Sequence, residues 1–161
     1  MKDGFEVFIL REDMKILIAE AFIDLLEKES IDKITVKQLI EECHISRQTF
    51  YYHFRDIMDV LEWAFRRSAL EAAEQSLRAE THLDALRVFV DFVKTHKNKL
   101  DRLLNSKNWI QIEGILVESV AMYLDKMARS KFTDLEISYD DMEIMLQFYA
   151  SGIVGVLIHY N

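Results

Sequence analysis

Thr35-Val36-Lys37-Gln38-Leu39-Ile40-Glu41-Glu42-Cys43-His44-Ile45-Ser46-Arg47-Gln48-Thr49-Phe50-Tyr51-Tyr52-His53-Phe54 is the stretch whose reading decides the fold. Thr35 and Gln38 have the spacing of a capping box, and Ile34 with Leu39 that of a hydrophobic staple, so a helix starts here. Its apolar stripe is Val36, Leu39, Ile40 and Cys43, and it ends after two turns. His44, Ile45 and Ser46 form a short turn. Ser46 then caps a further short helix, with Ile45 and Phe50 repeating the staple spacing. Only Phe50 and Phe54 are spaced to point at a core, which leaves Arg47, Gln48, Thr49, Tyr51, Tyr52 and His53 for the other faces. Helices this short are marginal alone and must rest on a neighbour. The neighbour is the preceding helix, whose stripe is Met14, Leu17, Ile18, Ala21, Phe22, Leu25 and Leu26, with Lys15, Glu20, Asp24 and Glu27 opposite. Two short helices joined by a tight turn have the geometry of a helix-turn-helix, whose second helix enters the DNA major groove.

The local charge supports that geometry. From Cys43 to Arg55 there is no acid, although the chain has 28 acids among 161 residues. Arg47 suits a guanine edge or a phosphate, Gln48 an adenine edge, and Thr49 a thymine methyl or a phosphate. Tyr51, Tyr52 and His53 can reach backbone phosphates, which fixes register without reading sequence. The competing reading makes Tyr51 and Tyr52 half-buried packing residues on a face that is merely solvated.

Working outward, composition points to an all-α chain. There are no prolines where average usage would give about eight, and 4 glycines where about eleven would be usual. Hairpins and Greek keys need the turns those residues supply. The single cysteine, Cys43, excludes a disulfide framework and a cysteine-based zinc site, and suits the reducing cytoplasm. The apolar run Phe5 to Leu10 is too short for a signal peptide. A net charge of −8 requires any nucleic-acid face to be local.

The rest of the chain also reads as helices: Asp56 to about Ala79, Thr81 to about Asn105 with a break at Lys97-Asn98, and Trp109 to Ser130. After a loop from Lys131 to Ile137, Ser138 with Asp141 opens a last helix. The expected architecture is an N-terminal three-helix DNA-binding domain over residues 1–55 and a helical dimerisation and effector domain over 56–161.

The stretch Thr35 to Ile40 followed by Ile45 to Phe54 resembles the DNA-binding domain of the TetR family of bacterial transcription regulators, over about the first 70 residues. Arg55-Asp56-Ile57-Met58-Asp59-Val60-Leu61-Glu62-Trp63, and more weakly Phe148 to Gly155, are similar to the branch of that family containing the dihydroxyacetone kinase activator. The resemblance implies a homodimer on a pseudo-palindromic duplex, modulated by a small-molecule or protein effector. By position it implies DNA contacts from Thr35, Lys37, Arg47, Gln48, Thr49, Tyr51, Tyr52 and His53. Four departures stand out. His44 replaces the usual glycine of the turn, at a cost of roughly 1 kcal/mol if the backbone there is left-handed. Ile57 replaces a common phosphate-binding lysine, with Arg55 as its substitute. The N-terminal arm is acidic and apolar, and because the family usually continues through another helix after the last one here, the second partner of the dimer bundle is expected to be missing or truncated.

From Ile144 to Tyr160 there is no formal charge, and apolar residues cover nearly every face. Ser151 and Gly155 form a small-xxx-small pair that lets two helices approach, which favours a dimer interface including Tyr149, Gly152 and His159. Plain core packing and a membrane span are the alternatives, the latter weakened by Gln147, Ser151 and His159. Trp63, Phe92, His96, Trp109 and Tyr123, with Phe65 and Phe89, are candidates to line an effector cavity, although aromatic residues at helical spacing are more often core. The five histidines are scattered, and neither a phosphate loop nor a nucleophile elbow is present, so no enzyme, metal or cofactor is expected. The sequence therefore predicts a regulator that partners double-stranded DNA. The alternative is a helical protein–protein interaction module that keeps the scaffold without binding DNA.

Overall fold

Five side-chain caps set where helices begin. Thr35 accepts from the Gln38 N–H at 3.2 Å while Gln38 Oε1 accepts from the Thr35 N–H at 2.8 Å, which closes the capping box. Ser46 accepts from Thr49 N–H at 2.9 Å, Asp56 from Asp59 at 2.9 Å, Thr81 from Asp84 at 3.1 Å and Ser138 from Asp141 at 3.1 Å. Each such cap satisfies an orphan amide and contributes about 1 kcal/mol.

The computed structural model describes the backbone of residues 2–131 and 137–159, and side chains within 12–81, 83–130 and 137–159. The described residues form eight α-helices: α1 Lys2–Lys28, α2 Val36–Glu42, α3 Arg47–His53, α4 Ile57–Leu77, α5 His82–Thr95, α6 Lys97–Leu104, α7 Trp109–Lys131 and α8 Tyr139–His159. A single 3-10 turn, Ile31–Lys33, joins α1 to α2. The first helix starts well before its apolar stripe, and the break between α5 and α6 falls at His96, one residue ahead of the expected Lys97-Asn98. Most of the loop expected over 131–137, the side chains of the Phe5 to Leu10 run and Tyr160 at the end of the uncharged run lie outside the described residues.

The chain divides into two compact units between Ala64 and Phe65, within α4. In the first, α2 and α3 pack on each other and on α1. Its core is Ile18, Phe22, Leu25 and Leu26 from α1, Ile31, Ile34 and Leu39, then Phe50, Phe54, Val60 and Leu61, all buried. Leu17 is the one member of the α1 stripe left exposed. Each fully buried side chain of this size stabilises by about 1.5–3 kcal/mol, which is what holds two seven-residue helices in place.

The turn between α2 and α3 is a Schellman motif. Ile45 N–H donates to Ile40 O at 3.1 Å and His44 N–H to Glu41 O at 3.3 Å, with His44 at φ 52. That left-handed conformation crowds a Cβ. Replacing His44 with glycine is therefore expected to stabilise the protein by about 0.5–1 kcal/mol in urea denaturation. An unchanged or lower midpoint would mean that the exposed imidazole makes a compensating contact.

In the second unit α5 packs on α6, α6 on α7 and α7 on α8. Ala72, Ala73 and Tyr123 are buried together, packed by Ala69, Phe89, Leu124 and Met127. Tyr123 donates its hydroxyl to Ser76 Oγ at 3.0 Å, and Ser76 donates to Ala85 O at 3.3 Å, so α4, α5 and α7 share one satisfied polar path. By contrast α8 buries only Ala150 and Val154 fully.

Candidate nucleic-acid interface

Phe50 and Phe54 turn inward from α3 and its C-cap, their rings 6.2 Å apart. That anchored edge turns Arg47, Gln48, Tyr51 and Tyr52 outward and leaves Thr49 and His53 half-buried. Arg47 and Gln48 are exposed, and Tyr51 and Tyr52 are 54% and 64% exposed, so the tyrosines stand in solvent and are not packing residues. The Tyr51 ring meets Phe50 edge-on at 5.4 Å and the Tyr52 ring meets His53 edge-on at 5.0 Å, which fixes both rings at their bases. The Thr49 hydroxyl pairs with Ser46 Oγ at 2.8 Å.

The flanking candidates are more committed. Thr35 donates its hydroxyl to Gln38 Oε1 at 2.8 Å as well as its N–H, so both donors of this residue are used within the chain. Gln38 in turn donates to Glu29 Oε1 at 2.7 Å, tying the start of α2 to the end of α1. Lys37 pairs with Glu41 at 3.7 Å, both largely solvated, where such a pair is worth little. Arg55 pairs with Asp59 through two guanidinium nitrogens at 3.3 and 3.2 Å. Asp59 was not among the residues singled out above, although its i, i+4 spacing from Arg55 is a readable signal. Burial, then the charge of Glu42, push the Cys43 thiol above its ordinary value, which keeps it a protonated packing group.

The aromatic candidates separate. Trp63 belongs to the first unit, edge-on to Phe54 at 6.1 Å, with Lys15 Nζ 5.8 Å from its ring and 5.5 Å from that of Phe54. In the second unit Phe92 and Tyr123 meet Phe65, Phe89, Leu100 and Leu116 around a cavity of about 50 Å³. Its hydroxyls are satisfied, Ser119 donating to Ile115 O at 2.8 Å and Tyr123 to Ser76. The volume is far below the roughly 300–1,000 Å³ of small-molecule sites. His96 Nδ1 lies 2.8 Å from Phe92 O, its ring tilted over Phe92 at 4.4 Å, and Trp109 is exposed at the start of α7. Elsewhere in this unit, Arg66, Glu118, Asp125, Arg129 and Glu143 line an open cleft of about 440 Å³ with Tyr139. Among the described residues no group of His, Cys, Asp and Glu is arranged to hold a metal.

On α8 the stripe Ile144, Phe148, Gly152 and Val156 is exposed, with Ile144 at 68% and Phe148 at 73%. Tyr149, Ser151 and His159 are exposed too, and His159 Nδ1 lies 2.8 Å from Gly155 O. A Cβ built on Gly152 or Gly155 meets no atom of the chain within 4 Å. This helix has the length and apolar character of a membrane span, and most of it is unburied in the protomer.

A short outward helix free of acids, set on a three-helix unit and followed by a second helical unit, defines a helix-turn-helix protein of the transcription-regulator class. The family description "Bacterial regulatory proteins, tetR family" matches residues 18–62, and "Transcriptional regulator C-terminal region" matches residues 80–160, half of the chain. The chain belongs to the TetR family of transcription regulators. The matched families are regulators and not enzymes. The chain is similar to the HTH-type dhaKLM operon transcriptional activator DhaS of Lactococcus lactis subsp. lactis (strain IL1403), 34% identical over 55 residues. That alignment covers 34% of this chain and only 29% of the relative's length. A solved structure of the dihydroxyacetone kinase operon activator DhaS overlaps 90% of this chain and 82% of its own, with a TM-score of 0.60 at 21% identity, which establishes the shared fold.

Proposed function

We propose that this protein is a cytoplasmic homodimeric regulator that binds a pseudo-palindromic operator, each copy placing α3 in the major groove. The observation that carries the reading is the outward side of α3, where Arg47, Gln48, Tyr51 and Tyr52 are exposed, Thr49 and His53 are half-buried, and no acid intervenes. Arg47 and Gln48 read base edges in this proposal, and the tyrosines, His53, Lys37 and Arg55 hold phosphates. Thr35 contributes through its cap, which sets the start of α2, since its donors are engaged. The dimer forms through α8, whose unpartnered apolar stripe and open glycines suit a close two-fold helix crossing in water better than an isolated span. The modulating signal enters through the second unit. The small, saturated cavity around Phe92 and Tyr123 disfavours a bulky ligand at that point, which leaves a partner protein or the open cleft lined by Arg66, Arg129 and Tyr139 as the place of entry. Trp63, His96 and Trp109 stay in this proposal as packing and surface groups of their own units.

The test is selection from random duplexes followed by a salt titration of the enriched site. A palindrome with steep salt dependence is the expected result. Arg47→Ala should then weaken specific binding by about 1–3 kcal/mol, a factor of roughly 5 to 150, if it forks onto a base. Failure to enrich any sequence with folded dimeric protein would discard the operator and favour the interaction-module reading. An Arg47→Ala variant with wild-type affinity and salt slope would remove that residue from the interface.

A further inference from the structure

The cations of the first unit differ in what holds them. Arg47 on α3 has no ion-pair partner among the described residues. Arg55, between α3 and α4, is gripped from two sides of one carboxylate. Its Nε and Nη2 donate to Asp59 Oδ2 and Oδ1 at 3.3 and 3.2 Å, and its backbone N–H donates to Oδ2 at 2.8 Å. The two partners are not equally exposed. The Asp59 side chain is 24% exposed and that of Arg55 is 80% exposed, so the fold fixes the acid and the guanidinium reaches to it from solvent. Burial raises the Asp59 pKa, but the hydrogen bonds and charge of Arg55, with the charge of Lys15, outweigh it and hold the carboxyl below its ordinary range. It is therefore ionised at neutral pH.

A carboxylate and a phosphate offer a guanidinium the same thing, two anionic oxygens in the plane of its fork. Ile57, at the start of α4, supplies no cation, so Arg55 is the charge available at that end of α3. We propose that Asp59 occupies the phosphate site of Arg55 in the free protein and competes with the DNA backbone for it. The pair is a brake on sequence-independent binding. A neutralised guanidinium releases fewer counterions, so the non-specific term falls while Arg47, left uncommitted, keeps its base-reading fork. Glu41 restrains Lys37 in the same i, i+4 arrangement, more weakly because both side chains are solvated.

This inference rests on the DNA-binding reading, and a double-mutant cycle separates the two. Affinity for the operator and for an unrelated duplex is measured across a salt series for wild type, Asp59→Asn, Arg55→Ala and the double variant. The asparagine keeps an oxygen for the Arg55 N–H, and a thermal melt checks that the variant is folded. Should it melt early, Asp59→Ser removes the same charge, keeps a hydroxyl acceptor and gives the same readout. Asp59→Asn is expected to bind about fivefold tighter at low salt, with a log–log salt slope steeper by about 0.9. Both gains should vanish when Arg55 is alanine. Equal gains with and without Arg55 would mean that only a distant repulsion had been removed, which overturns the competition. Unchanged or weaker binding by a folded Asp59→Asn protein overturns it as well. If wild type itself selects no duplex, the DNA-binding reading fails and takes this inference with it.

Discussion

Phe50→Ala should lower the stability of the protein by about 3–5 kcal/mol, the largest single effect expected of any residue on α3. Phe50 is fully buried, and its ring meets those of Tyr51 and Phe54. Cutting it to a methyl loses the transfer energy of the ring and leaves a cavity where α3 packs on α1 and α2. A seven-residue helix cannot persist without that anchor. Since natural proteins are stable by only about 5–15 kcal/mol, the urea midpoint should fall steeply. The proposed operator binding should fall with it, although Phe50 is buried in the core of the first unit. Phe50→Leu, which refills most of the space, should recover the larger part of the loss. A loss under about 1 kcal/mol for the alanine variant would show that the first unit collapses around the gap and that α3 is held by its caps instead.

If the proposed α8 dimer forms, Gly155→Leu should dissociate it without unfolding the chain. In the protomer a Cβ at Gly155 meets nothing within 4 Å, and leucine is a better helix former than glycine. The isolated chain therefore has room for the first carbon of the new side chain. At a two-fold crossing each copy carries the intruding side chain, so an overpacking cost of about 1–3 kcal/mol counts twice. The dimer constant should weaken by at least about 30-fold, read by sedimentation velocity across a concentration series, while the thermal melt of the monomer is unchanged or higher. Sedimentation as a tight dimer would place the interface on another face of the second unit. Loss of the dimer should also flatten cooperative operator binding, because the two half-sites would then be filled independently.

Much of this was legible in the sequence because it is local. The caps at Thr35, Ser46 and Ser138 involve residues three apart, and a cap needs little beyond its own turn. The left-handed His44 follows from where α2 must stop and α3 must start. The outward face of α3 followed from subtracting Phe50 and Phe54 from a helix of known period. The pairing of Arg55 with Asp59 follows the same local logic, and only the depth of the acid depends on the tertiary structure.

Other features join residues that the chain keeps far apart. Tyr123 finds Ser76 across 47 positions, and no spacing rule announces it. The aromatic candidates look alike in sequence, yet Phe92 and Tyr123 share a cavity, Trp63 packs on Phe54, and Trp109 lies at the surface. Leu17 belongs to the α1 stripe by period and is still exposed, because a stripe is only as wide as what covers it.

By itself the sequence determined an all-α chain, the capped helix starts at Thr35, Ser46 and Ser138, the helix-turn-helix and the acid-free stretch of α3, since turn chemistry, capping and helical period act over a few residues. Only the tertiary structure decided which side chains are spent inside the protein and which remain for a partner. It committed Thr35 to its cap and Arg55 to Asp59, left Arg47 uncommitted, and kept α8 bare along one side. Burial and availability depend on what the rest of the chain brings to each surface, and a list of neighbours in sequence does not contain that information.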